Sequence, residues 1–334
     1  MSDARERVEA ALALDVADRP PVSAWGHDYA AEWSPAELAK TTVEKTRRLK
    51  FDFVKLQIRA SCFAEAFGSD YRYSGDAEKE PVLLRPAVRQ PEDWATLADA
   101  GATTLVLAEQ VECLRMVTSE LGPQVPVIQT LFSPITVAGF LVGRDQARML
   151  DDLRRRPELV RPALDRIAIA VAEFGDASIA AGAAGVFYAI TGYASHDALT
   201  WPEYEHLLLP LDRRVLEACS GGWFNMVHLC GPRQHFELAR ELPAACVNWQ
   251  IQDAGNPGLA EGRRMSGKAV AGGLHRHSPI ADGSPEQVLA QARAALRATG
   301  RTGHLLTPGC SVSPWPRERE ANFQALIQAA EELG

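Results

Sequence analysis

The residues best suited to do chemistry in this 334-residue chain are one histidine and two cysteines. His228 and Cys230 stand two apart in V-H-L-C-G (227–231), and Cys310 stands in T-P-G-C-S (307–311). Residues two apart on a strand point to the same side. One imidazole nitrogen and two thiolates form a soft N/S2 donor set of the kind Zn²⁺ prefers, with the fourth position open when the site is catalytic. The gap between Cys230 and Cys310 is too long for a zinc-finger signature. The competing reading is a satisfied strand-end histidine and two core thiols, because free cysteine is commonly buried.

Other polar residues stand where strands are expected to end. W-G-H (25–27) offers His27 as a general base, a substrate contact, a fourth metal ligand or an ordinary loop residue. Lys55 lies among apolar neighbours in F-V-K-L-Q-I (53–58) and either points into a polar mouth or snorkels outward. Gln129, in V-P-V-I-Q-T-L (125–131), has the same two options. Tyr193, with Tyr188 and His196, suits either a pocket wall or packing. His275 and His277 (L-H-R-H-S) alternate onto one face, as polar loop residues beside a cleft or as ligand contacts. Cys62, Cys113, Cys219 and Cys246 have no partner at metal-like spacing. The chain lacks G-x-S-x-G, a Walker loop and H-E-x-x-H, which disfavours serine hydrolases, nucleoside triphosphatases and zincins.

These residues need a scaffold, and the pattern supplies one. Eight β-type runs alternate with helical stretches: 20–24, 53–58, 125–131, 185–190, 224–229, 246–250, 268–274 and 304–308. Helices are predicted over 35–50, 92–121, 134–181 and 285–299, among others. A mixed, turn-rich stretch over 71–88 reads as a small hairpin excursion. The alternation predicts a single (β/α)8 TIM-barrel domain over 1–334 with a short excursion towards its N-terminal side. An open doubly wound sheet usually brings a Gly-rich phosphate loop after an early strand, and none occurs here. A barrel places its chemistry at the C-terminal strand ends, where the fifth and eighth predicted strands would open onto one mouth.

Hydrophobic residues make up 46% of the chain and charged residues 23%, a globular mixture rather than a disordered one. The 35 basic and 43 acidic residues leave a net charge of −8, which argues against a nucleic-acid partner. The basic run Arg154, Arg155, Arg156 adjoins Asp151 and Asp152 and reads as a solvated helix end. No run of 18 apolar residues exists, so no membrane span is expected. The polar first residues lack an apolar signal core, which predicts a cytoplasmic protein. Six cysteines are too few for a disulfide scaffold.

At these motifs the sequence resembles the uroporphyrinogen decarboxylase superfamily. The resemblance runs through R-P-P-V (19–22), Q-T-L-F-S-P-I-T-V-A-G-F-L-V-G (129–143), A-G-A-A-G-V-F-Y (181–188), H-L-C-G, A-G-G-L-H-R (271–276) and T-P-G-C-S-V-S-P (307–314). It implies a single (β/α)8 barrel. True decarboxylases of the family carry M-R-Q-A-G-R after the first strand and F-S-D-I at a later strand end. Here those places read A-W-G-H-D-Y (24–29) and V-K-L-Q-I-R (54–59), and Cys310 replaces a histidine near the C-terminus.

The cobamide-dependent methyltransferases of the superfamily show H-x-C and a distant G-C turn as zinc ligands, and His228, Cys230 and Cys310 match them. The resemblance thus implies a zinc-dependent methyltransferase that moves a methyl group between a corrinoid and a zinc-bound thiol. The chain has no D-x-H-x-x-G corrinoid motif, so the corrinoid would arrive free or on a separate protein. His27, Lys55, Gln129, Tyr193 and His275 are the expected substrate contacts. A metal-free lyase acting on a carboxylated substrate and a non-catalytic corrinoid- or zinc-binding partner stay open as alternatives, as does a homodimer.

Overall fold

Pro20 and Pro21 decide how the sheet ends. Neither has an N–H to give, so the segment they open cannot run a full ladder. The next amide, Val22 N–H, donates to the Asp52 carboxylate at 2.7 Å. What is left is one parallel bridge, Val22 to Leu306, with Leu306 N–H donating to Pro21 O at 2.9 Å and Asp52 N–H to Val22 O at 2.9 Å. Asp52 is buried and also takes Arg19 at 2.6 Å and Arg7 at 3.0 Å. The segment 20–24 is therefore pinned between two sheet edges without joining them as a strand.

A computed structural model describes residues 2–300 and 302–333. Its strands are β1 (Val54–Leu56), β2 (Asp70–Arg72), β3 (Val82–Arg85), β4 (Val127–Phe132), β5 (Gly185–Thr191), β6 (Met226–Cys230), β7 (Cys246–Trp249), β8 (Ala269–Leu274) and β9 (His304–Pro308). Seven form one parallel sheet in the order β1-β4-β5-β6-β7-β8-β9, and β2 and β3 pair as a separate antiparallel hairpin. The closed eight-stranded barrel expected from the alternation is thus not what forms. The sheet is open and incompletely curled, with β1 and β9 as its edges, because the first predicted strand spends its hydrogen bonds as described above. The helix expected over 92–121 also divides: a 3-10 turn Pro91–Thr96 precedes a helix Leu105–Leu121, with an irregular stretch around Gly101 between them. The stretch 134–181 resolves into three helices, Pro134–Leu141, Gln146–Arg155 and Pro157–Ala180. Among the described residues no helix is long and apolar enough to cross a membrane.

Strand parity sorts the side chains into two layers. On β5, Val186, Tyr188 and Ile190 join the larger core under the helices, whereas Phe187 and Ala189 join the smaller core on the concave side. Trp25, Phe53, Phe187 and Phe224 fill that concave space by edge contacts, with Trp25–Phe187 centroids at 5.4 Å and Phe53–Phe224 at 5.2 Å. On β6, Val227 and Leu229 face the helices and Met226 the concave side, so His228 and Cys230 share the concave face.

His304, at the start of β9, is buried as a neutral ring. Its Nδ1 pairs with Thr299 Oγ1 at 2.7 Å and its Nε2 with Gly272 O at 3.1 Å. Burial pushes its pKa down from 6.5 to about 4. The unfolded chain takes up this proton below 6.5 and the folded chain resists until about 4, so stability is lost as pH falls through that window. The loss approaches about 3 kcal/mol once pH is below both values. Urea titrations from pH 7 to 4 should show this slope, and His304→Gln should remove that part of it.

Candidate metal centre

β6 lies in register between β5 and β7, with Ala189 opposite His228 and Thr191 opposite Cys230. Cys310 follows β9 in a turn held at both sides: Gly309 N–H donates to Leu274 O at 2.8 Å, and Val312 N–H to Trp25 O at 2.9 Å. The turn and the segment 25–27 are so close that a Cβ on Gly26 would lie 1.7 Å from Val312 O. Gly26→Ala must therefore push this turn away. A loss of about 2–3 kcal/mol in urea unfolding is expected, together with weaker metal retention, because the same turn carries Cys310.

These elements bring His228, Cys230 and Cys310 together, with one ligand atom from each within 4.8 Å of the others. The two Sγ atoms are 3.8 Å apart. Two sulfurs each about 2.3 Å from a tetrahedral centre would lie about 3.8 Å from one another, so the spacing suits Zn²⁺. His228 is buried against Phe187, ring centroids 5.1 Å apart, and its Nδ1 has no hydrogen-bond partner. A buried imidazole with an unpaired ring nitrogen, grouped with two sulfurs within 4.8 Å, is a donor set whose chemistry suits a cation. A hydrogen bond from the Cys230 thiol, reinforced by the neighbouring His228 ring and the Arg276 guanidinium, holds the Cys310 thiol well below its ordinary value despite burial. Cys230 is correspondingly pushed up, chiefly by sharing that hydrogen bond. The residues present therefore fit a soft divalent metal.

The cluster opens into a cavity of about 390 Å³. His27 and Lys55 line it. His27 Nδ1–H donates to the buried Glu32 carboxylate at 2.6 Å, its Nε2 accepts from Gln57 Nε2 at 2.7 Å, and its ring stacks on Tyr29 at 4.9 Å. Gln57 Oε1 in turn accepts from Lys55 Nζ at 2.5 Å. The chain Glu32–His27–Gln57 thus fixes the Lys55 amine, which sits 4.8 Å over the Phe187 ring. Burial pushes this amine down to about 7.

The remaining candidates go elsewhere. Gln129 faces the helix layer, where its Nε2 donates to Gln110 O at 3.4 Å; its neighbour Thr130 lines the cavity instead. Tyr193 lines an adjoining cavity of about 500 Å³ that shares Cys230, Thr191 and Arg276 with the first. Its hydroxyl fills the space beside Gly139, where a Cβ would come within 2.3 Å. His275 Nδ1 accepts the backbone N–H groups of His277 at 3.2 Å and Ser278 at 3.3 Å, so it ties down its own turn while Arg276 and His277 line the cavity.

Sequence reasoning did not single out Arg276, Gln57, Glu32 or Phe187. For Gln57 a signal existed: it stands two residues beyond Lys55, the same period that joins His228 to Cys230. Phe187 reads as plain core, and Glu32 has no local mark.

The uroporphyrinogen decarboxylase (URO-D) family profile matches residues 29–333. A uroporphyrinogen decarboxylase from Streptomyces coelicolor is 31% identical over 245 residues, covering 70% of this chain and 64% of that relative, which is under two thirds of its length. Methylcobamide:CoM methyltransferase MtaA from Methanosarcina barkeri is 23% identical over 308 residues, covering 90% of this chain and 86% of that relative. Among solved structures, a methyltransferase from Methanosarcina mazei shares the fold with a TM-score of 0.82, covering 99% of both chains at 20% identity. A B12-independent methionine synthase from Shewanella sp. W3-18-1 shares it more loosely, with a TM-score of 0.59 at 14% identity over 90% of this chain and 87% of that one. With the profile running along nearly the whole chain, and the methylcobamide methyltransferases matched over most of their length, the chain belongs to the uroporphyrinogen decarboxylase superfamily and resembles its cobamide-dependent methyltransferases more than its decarboxylases.

Proposed function

We propose that the chain is a zinc-dependent methyltransferase that moves a methyl group between a corrinoid and a small thiol. The observation that carries this reading is the convergence of His228, Cys230 and Cys310 on one cavity wall, with a sulfur spacing that suits a tetrahedral ion. The relatives that act on methylcobamide add support from sequence.

His228, Cys230 and Cys310 would hold the zinc ion and leave its fourth side to the cavity. When bound, the metal supplies the Lewis acidity that keeps a substrate thiol ionised at neutral pH. The protein's own groups do the rest. Phe187 fixes the His228 ring by stacking. Phe132 and Phe140 line the cavity and keep bulk water from the reacting sulfur. Arg276 sets positive charge along the wall and Lys55, held by Gln57, presents an amine that is only partly charged near pH 7; together they orient a thiol with an acidic tail. The corrinoid, free or carried by a separate protein, would meet the thiol at the mouth.

The test has two parts. Protein purified without added zinc should carry about one metal ion per chain, the content expected of a three-ligand site. Methylcobalamin should then lose its methyl group in the presence of a thiol, followed by cobalamin absorbance across a panel of thiols. A metal-free preparation that decarboxylates a carboxylated porphyrinogen would overturn the reading. Tight corrinoid binding with no turnover by any thiol would point instead to a binding partner.

A further inference from the structure

Six cysteines are present, and they fall into two chemical classes. Cys62, Cys113, Cys219 and Cys246 are buried in the core, where burial pushes their thiols up and keeps them inert. Cys230 and Cys310 are partly exposed, line the cavity, and face one another at 3.8 Å.

We propose that Cys230 and Cys310 form a reversible redox pair, which an organic disulfide oxidant closes into a disulfide whenever no metal holds the two sulfurs apart. Bond formation at about 2.05 Å needs the sulfurs to approach by roughly 1.8 Å. Cys310 sits on a turn rather than in the ladder, so the approach calls for adjustment of that turn and leaves β6 in place. Cys310, on the more movable turn, is the thiol written here as attacking first. It displaces one thiolate from the oxidant and forms a mixed disulfide. Cys230 then loses its proton, attacks the Cys310 sulfur and releases the second thiolate. Two protein thiols have given up two electrons and two protons, and the oxidant has become two thiols. The closed pair can no longer offer two thiolates to a metal, so oxidation and metal binding exclude each other. The pairing itself stands apart from the methyl-transfer reading; only its exclusion by metal rests on the metal site.

Oxidised glutathione is the probe, applied to full-length protein stripped with EDTA. After denaturation and alkylation, four cysteines should take label instead of six, and peptide mapping should show one link, Cys230 to Cys310. Dithiothreitol should restore all six. In Cys310→Ser the link should vanish, leaving Cys230 either free or joined to glutathione. Zn²⁺ added before the oxidant should slow linkage roughly tenfold or more, because the metal occupies both thiolates. Six labelled cysteines after prolonged oxidation, or glutathione held on Cys230 and Cys310 separately, overturns the proposal. Linkage that Zn²⁺ fails to slow supports the pair and counts against the metal site.

Discussion

Cys310→Ser is expected to strip the metal from the purified protein while the fold stays intact. Zinc per chain should fall from about one to below about a tenth after dialysis against a mild chelator, a weakening of about 100-fold or more. Changing an outer partner of a metal ligand already costs 10–100-fold, so loss of a direct thiolate should cost at least the upper end. A serine hydroxyl is a poor substitute because it stays protonated at neutral pH and is a harder donor. The fold should tolerate the change. Cys310 is partly exposed on a turn fixed by backbone hydrogen bonds from Gly309 and Val312, and none of those involves its sulfur. The melting temperature of the metal-free variant should therefore match that of the metal-free parent within the small range of surface substitutions. Ser311→Ala, one residue along, is the control: its hydroxyl donates to Gln57 Oε1 at 3.4 Å, and zinc should be retained. If Cys310→Ser keeps its metal under the same dialysis, the His228–Cys230–Cys310 assignment is wrong.

What the sequence made legible follows from local geometry. Period-two spacing placed His228 and Cys230 on one face, and strand order placed Cys310 at the same end of the sheet. Local reasoning could not settle parity where both faces are buried. Gln129 sits between Ile128 and Thr130, and only the packed sheet shows that these two take the concave side. The open edge was also written in the chain, in Pro20 and Pro21, but the β-type composition of 20–24 masked it. That Asp52 would capture the Val22 amide is a contact across 30 residues, beyond any local pattern. The Glu32–His27–Gln57–Lys55 chain has the same character: each member is ordinary in its own segment, and the chemistry exists only after three segments meet.

Arg276→Gln should raise the pH at which a thiol binds the metal centre by about one unit, and Arg276→Lys should restore much of it. Zn²⁺ held by two thiolates and a neutral imidazole would be uncharged, and a substrate thiolate joining it would make the centre singly negative. In a cavity half closed to water that charge needs a counter-charge. Arg144 is committed to Glu80 at 2.9 Å. Arg276, by contrast, lies against the sulfurs: burial opposes its charge, while Cys310, then Cys230, then the more distant Asp253 support it. Its Nε is tethered to His277 Nε2 at 3.1 Å, which turns the rest of the guanidinium to the cavity. A charge about 6 Å away at an effective dielectric near 20 is worth about 3 kcal/mol, and partial solvent access reduces this to about 1.4 kcal/mol, or one pH unit. Co²⁺-substituted protein gives the readout without turnover, since its visible bands change when a thiolate joins the metal. Mercaptopropionate should lose about tenfold in affinity in Arg276→Gln, and cysteamine, whose ammonium gains nothing from Arg276, should lose less. A binding midpoint that does not move in Arg276→Gln, with both thiols affected alike, would show that Arg276 serves only the turn it stands in and that solvent supplies the counter-charge.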